Sequence, residues 1–251
     1  MRALVLLIAL GAGALAQPQS PASRKEAALG AQLAEDLRRH TTPVASSEVS
    51  DYVARLGEKL ATHASHGDSF TFSSVRDDLG GPTHEPRVLP GGYIFVPASL
   101  ILAARDETEL AGMLAHAIAR KPGLTRTDAA SIPVIFLDPL QSGTLPPGMA
   151  KEWRQRELQA DRDAIDLMAT AGYDPSALLR YLERTQPANM FRDAPLPPRD
   201  ERLARLDETI RALPPHPYSS GNDFVIIQDR LRLEMQPPAT PTERPPSLFN
   251  R

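Results

Sequence analysis

Apolar residues recur at helical spacing along most of the chain and alternate only in a short region near residues 70–97. Residues 23–40 put Ala27, Ala28, Ala31, Leu33, Ala34 and Leu37 on one side of a helix that Thr41-Thr42-Pro43 ends. Residues 47–65 predict a second helix, with Ser47 as cap and Val49, Val53, Leu56 and Leu60 buried. Phe70-Thr71-Phe72 alternates and predicts a strand. Residues 87–97 predict two short strands about Leu89-Pro90-Gly91-Gly92, where Pro followed by Gly suits a type II turn. A short helix over 99–104 leads into a longer one over 106–120. Residues 121–148 are rich in Pro and predict a long loop. Further helices follow over 149–171, 175–186, 199–213 and 223–235, although Phe224 to Ile227 also reads as the start of a strand. The pattern predicts a mainly helical α+β domain. Its sheet of about three or four strands should include residues 70–75 and 93–96, with an edge near the 106–120 helix.

Composition narrows the setting. Residues 1–16 hold one basic residue, an apolar run and a small-x-small end at Ala14-Leu15-Ala16, which predicts a cleavable signal peptide. No Cys follows it, so no lipid anchor is expected there, and no later segment has membrane-spanning length. This implies a periplasmic or secreted domain over 17–235, at most peripheral to a membrane. The Pro-rich tail over 236–251 is expected to be disordered. The formal net charge of −3, with no basic patch, gives no sign of nucleic acid as a partner. With zero Cys there are no disulfides, and the core must hold by packing.

The 106–120 helix carries the first candidate chemistry. Asp106 can cap it, and Glu109 completes a capping-box pattern. Leu110, Met113, Leu114, Ala117 and Ile118 form one apolar face, while Gly112, His116 and Arg120 share another stripe. A zinc-peptidase helix reads H-E-x-x-H, with two imidazoles one turn apart on the metal and the Glu as general base. The five positions here read His116, Ala117, Ile118, Ala119, Arg120. The first His is present, Ala117 stands at the base and Arg120 at the second ligand. A lone helical His is ordinarily structural, so this pentapeptide alone decides nothing.

The helix over 152–171 supplies a second constellation. Trp153, Ala160, Ala164, Leu167, Met168 and Ala171 gather on one side, and Glu157 and Asp161 fall inside that stripe. Two carboxylates one turn apart on a buried face are unfavourable unless a cation receives them. Either the helix bends them into solvent, or a metal, an Arg or a Lys lies opposite.

Combined in order along the chain, these pieces resemble one zinc metallopeptidase family. Glu157-Leu158-Gln159-Ala160-Asp161 followed by Ala171-Gly172-Tyr173-Asp174-Pro175 resembles its E-x-x-A-D … AGYDP segment. Leu89-Pro90-Gly91-Gly92-Tyr93-Ile94 resembles its LPGG-x-I strand, and Glu107 through His116 its E-x-E-L-A-x-x-L-x-H helix. Leu29-Gly30 and Tyr52 … Leu56-Gly57 resemble its first helices. The family is the forty-eighth among metallopeptidases, that of BepA-like and HtpX-like bacterial proteases, mitochondrial Oma-type proteases and CAAX prenyl proteases. The resemblance implies a zincin-like domain with a small sheet packed on the active-site helix. It implies that His116 and Glu157 stand at the first and third metal-ligand positions and that Asp161 is a supporting acid orienting a ligand His. It also implies that Gly91, Gly92, Tyr93 and Ile94 belong to a strand beside the substrate cleft. The departures lie on the chemistry: Ala117, Arg120, Leu196 where the family has a later His, and Glu85-Pro86-Arg87-Val88 where it has Asn-Ala-Phe-Ala.

Three functional readings follow. The first is an exported, non-hydrolytic relative that needs no cofactor and uses the old cleft to bind unfolded or extended polypeptide, or a protein partner. The residues from Tyr93 to Val96 would offer a strand edge to it. Arg120 would then replace the metal electrostatically, extending toward Glu157 or Asp161 beside His116. The second is an active zinc-dependent endopeptidase of envelope quality control, with replacement ligands such as Asp128 or His84. The third is an unrelated helical interaction protein, with His116 and Glu157 far apart. The other His residues, at 40, 63, 66, 84 and 216, have no partner at metal spacing.

Overall fold

The computed structural model describes residues 21–64, 69–77, 83–120, 147–188, 196–215, 217–218, 221 and 223–236. Among them α1 (Pro21–His40) and α2 (Ser47–Ala61) precede β1 (Thr71–Val75), β2 (Arg87–Leu89) and β3 (Tyr93–Pro97). Then come α3 (Ala98–Ala103), α4 (Glu107–Ala119), α5 (Pro147–Thr170), α6 (Ser176–Thr185), α7 (Arg199–Arg211) and α8 (Phe224–Met235). This is a mainly helical α+β arrangement with one three-stranded sheet. Phe224 to Ile227, readable on sequence as strand, is the helical start of α8. The expected signal peptide, most of the 121–148 loop and most of the tail lie outside the described residues.

The strand order is β1-β3-β2. β3 runs parallel to β1, with Thr71 opposite Tyr93 and Val75 opposite Pro97. On its other side it is antiparallel to β2, with Arg87 opposite Phe95 and Leu89 opposite Tyr93. The expectation that Tyr93 to Val96 offer a free strand edge is therefore corrected. Tyr93 and Ile94 belong to the central strand and are paired on both sides. Gly91 and Gly92 lie in a one-turn 3₁₀ segment, and strand order puts β1 and β2 at the margins instead. Gly91, at φ 76° and ψ 11°, has the positive φ that a type II turn requires at its third position.

β3 shows why the sheet sits between two layers. Successive side chains on a strand point to opposite faces. Ile94 and Val96 join the main core with α2, α4 and α8, while Phe95 packs with Ala34, Val75 and Leu89 under α1. All three are fully buried, which for each side chain contributes about 1.5–3 kcal/mol. α1 meets the sheet through Ala34 and the Pro90–Gly92 turn through Gly30, while Ala28 and Ala31 are exposed. A Cβ on Gly30 would stand 1.7 Å from the Pro90 carbonyl oxygen, so the helix can lie on the Pro90–Gly92 turn only without one.

Two long-range contacts fix α8. The Glu234 carboxylate accepts from the backbone N–H groups of Ala45 (2.7 Å) and Ser46 (3.0 Å), at the start of α2. Gln228 Nε2 donates to the carbonyls of Ile101 (2.8 Å) and Ala104 (2.7 Å), satisfying buried carbonyls at the end of α3. The cap of α2 is Ser46, not Ser47: its hydroxyl accepts from Val49 N–H.

Gly30→Ala should lower stability by about 1–3 kcal/mol, because backbone rather than a movable side chain receives the added methyl. The urea midpoint measures this. A midpoint equal to wild type would contradict the close approach of α1 to the turn.

Candidate functional site

α4 is the central helix, and every residue from Thr108 to Ile118 is buried. Its two sequence stripes therefore do not divide core from solvent. Asp106 caps it as expected, accepting from Glu109 N–H at 2.8 Å. The Glu109 carboxylate takes Arg105 N–H at 2.8 Å rather than that of Asp106, and it also pairs with Arg184. Gly112 lets α6 approach: a Cβ there would stand 3.1 Å from Leu178 Cβ. Glu107 fixes the first turn by accepting from the hydroxyls of Tyr52 and Tyr173, the latter at 3.2 Å.

Opposite α4 lies α5, which presents Glu157 and Asp161 one turn apart. Both acids are 2% exposed. His116 lies between them, with Nε2 3.2 Å from Glu157 Oε2 and Nδ1 3.1 Å from Asp161 Oδ1. The Nε2 contact is a hydrogen bond. The Nδ1 contact is an ion-pair distance without hydrogen-bond alignment. Arg120, one turn after His116 at the end of α4, extends to the same acids' side of the site. Its Nε is 2.7 Å from Glu157 Oε1, and its Nη1 donates to Glu85 Oε2 at 3.0 Å.

Two residues of this cluster were not singled out in the sequence. Arg202, from α7, is fully buried and forks onto Asp161, with Nε to Oδ2 at 2.7 Å and Nη2 to Oδ1 at 2.9 Å. Its Nη1 donates to Gln186 Oε1 at 3.2 Å and lies 3.6 Å from Glu85 Oε1. Gln186 in turn donates to the Pro197 carbonyl at 2.9 Å. Glu85 enters just before β2 and is 1% exposed. Arg202 carried a legible signal, because it shares the buried side of α7 with Leu206, one turn on. Glu85 had only its place in the Glu85-Pro86-Arg87-Val88 departure.

Three carboxylates thus face two guanidiniums and one imidazole in a largely buried cluster. A carboxylate only accepts, so an imidazole set between two of them is best served by protons on both nitrogens. Burial alone would push His116 toward neutrality. The adjoining Asp161 and Glu157 outweigh that and raise it from 6.5 to about 9. Burial likewise opposes the charge on Glu157, but Arg120 and His116 hold it down at about 2. Asp161 is held well below the usual carboxylate range by Arg202 and His116 against the same penalty. With His116 protonated, three acids meet three cations.

The remaining sequence candidates fall as follows. Ala117, at the general-base position, is buried against the core, and so is Leu196. His84 is half-buried with φ 53°, and Asp128 lies outside the described residues. One donor atom each from Glu85, His116 and Glu157 lies within 4.8 Å of the others.

The chain is similar to proteins named beta-barrel assembly-enhancing protease. It is 26% identical over 228 residues to one so named provisionally in Vibrio cholerae, covering 77% of this chain and 46% of that protein. With the Yersinia pestis protein the identity is 25% over 240 residues, covering 82% and 48%. With that of Escherichia coli K12 it is 24% over 239 residues, with the same coverage. The chain spans about half the length of these relatives. No family model matches it. Among the described residues no helix is long and apolar enough to cross a membrane.

Two predictions follow from the cluster. Arg202→Ala leaves Asp161 buried without its fork and should cost about 3–5 kcal/mol, against well under 1 for the exposed Arg162→Ala. Equal urea midpoints for the two variants would contradict the ion cluster. The pH profile has a defined sign. The His116 contribution is complete below 6.5 and is lost as pH rises through about 9. That of Glu157 is complete above 4.5 and is lost as pH falls through about 2. Stability should therefore decline between pH 6.5 and about 9, and less steeply in His116→Gln. Parallel declines in the two proteins would remove His116 as the cause.

Proposed function

We propose that this chain is an envelope protein of the metallopeptidase type that binds extended polypeptide without hydrolysing it. The observation that carries the reading is the Arg120 guanidinium, bridging Glu157 Oε1 at 2.7 Å and Glu85 Oε2 at 3.0 Å. His116 on α4 and Glu157 on α5 suit a zincin-like plan, and the likeness to the named proteases supports it. The residues present do not fit a catalytic zinc ion. Zinc takes three neutral or anionic donors and leaves a place for water. Here the second-ligand position is a guanidinium, which has no lone pair to give. The Glu157 oxygens face Arg120 and His116, and both imidazole nitrogens face carboxylates. No carboxylate stands at 117 to serve as general base, a role worth about 10²–10⁴ in rate.

Polypeptide binding rests on the same likeness. A strand added to this sheet would lie at β2, next to Glu85, because both sides of β3 are taken and the far side of β1 is bonded to residues 42–44. Periplasmic residence accords with the beta-barrel assembly that the relatives' names express. The second reading, an active zinc endopeptidase, is favoured by the proximity of Glu85, His116 and Glu157. It requires Arg120 to leave.

The purified protein should carry no stoichiometric zinc and should bind a labelled extended peptide. Its turnover of unfolded protein should stay at background, indifferent to chelator. Cleavage abolished by His116→Ala or Glu157→Ala would overturn the non-hydrolytic reading. Absence of any peptide binding would overturn the binding half.

A further inference from the structure

We infer that the outer face of α8 is a self-pairing surface, on which a second copy of this chain docks with its own α8 running antiparallel. The inference concerns a helix that carries none of the ion cluster, and it holds whether or not the chain hydrolyses polypeptide.

α8 has two apolar sides. Phe224, Ile227 and Leu231 are buried and join the main core, where α8 packs on α2 and α3. Val225, Ile226 and Leu233 lie on the outer side, at 58%, 59% and 64% exposure. Among the described residues Tyr218, at 37%, is the only other large apolar residue so exposed. The exposure is thus concentrated on one helix, and a helix with a second apolar side calls for a second partner. Glu234 and Gln228 bind α8 to the start of α2 and the end of α3, so a fixed element presents that side.

The order of residues along the outer side selects the partner. Ile226, Asp229, Arg230 and Leu233 stand at i, i+3, i+4 and i+7, one stripe of the helix, and all four are exposed. A two-fold contact uses the same patch on both copies, so the patch must complement itself. An antiparallel copy centred between Asp229 and Arg230 sets Ile226 against the copy's Leu233 at each end. At the middle it sets Asp229 against the copy's Arg230, twice. A parallel copy would instead set Asp229 against Asp229 and Arg230 against Arg230. In the single chain Asp229 pairs with Arg232 at 2.6 Å and Arg230 with Glu48 at 3.1 Å. These side chains are 49–63% exposed, and ion pairs so exposed hold little and exchange readily. A lipid surface fits the stripe less well, because it would have to receive both charges at the centre of the apolar side.

Sedimentation velocity of the chain over a range of concentrations tests this. Wild type should pass from monomer to dimer as concentration rises. Asp229→Arg and Arg230→Asp should each weaken self-association about tenfold or more, because like charges then face each other across the axis. Mixed in equal amounts, the two variants should recover the dimer, since every pair across the axis is again acid and base. Ile226→Glu combined with Leu233→Glu should leave a monomer whose circular dichroism matches wild type. A wild type that stays monomeric, or a dimer that survives the two Glu substitutions, overturns the inference. So do single reversals that self-associate like wild type, or that fail to complement each other on mixing. A monomeric wild type that binds vesicles of anionic lipid overturns it too and assigns the stripe to a membrane.

Discussion

Two carboxylates on the inner face of one helix set the terms for this molecule. Glu157 and Asp161 are carried into the interior by the same apolar stripe that packs α5 on α4, through Ala160, Ala164 and Met168. An unpaired buried carboxylate is too unfavourable to persist, so the surrounding elements must deliver cations to it. α4 delivers His116 and Arg120, and α7 delivers Arg202. The segment before β2 then adds a third acid, Glu85, which balances the set. Without this matching, α5 could not lie flat against α4. The buried face of α7 and the entry to β2 would also lose their polar anchors.

On the proposed reading, the same arrangement lets a protease-like frame persist without the chemistry. A metal centre and this ion cluster make a common structural demand, which is positive charge between α4 and α5. A guanidinium meets it with fixed charge and planar donors, needing neither coordination by a second imidazole nor an open water position. What it cannot supply is a polarised water, and Ala117 supplies no base. On the proposed reading, the frame keeps its shape and its sheet margin while hydrolysis is lost.

Much of this was legible in the sequence, for physical reasons that differ by residue. Helices appeared because their apolar faces recur at 3.6 residues, and the Pro90-Gly91 turn because only Gly takes φ of 76° easily. Charged residues inside an apolar stripe flagged Glu157 and Asp161, and the same test would have flagged Arg202 beside Leu206. Strand order was not legible. Tyr93 to Val96 reads identically as edge or centre, and only the partners of β3 settle it as the centre. Glu85 was hidden because it precedes a strand in a polar loop, where no periodicity distinguishes a buried acid from a solvated one. The Arg202 fork on Asp161 was hidden for a related reason. Spacing places Arg120 near the acids, but only the third dimension brings α7 across them.

The protonation state of His116 tests the central claim most directly. Ring-nitrogen chemical shifts of the wild-type protein at pH 7, with the His116 signal assigned by its loss in His116→Gln, report it without perturbing the cluster. The account predicts an imidazolium, with protons on both nitrogens, because His116 lies between two carboxylates and is raised to about 9. A neutral imidazole at that pH, with an Nε2 lone pair turned toward Glu157 and Arg120, would contradict it. His116 would then be a ligand waiting for a metal rather than one of the cluster's own cations.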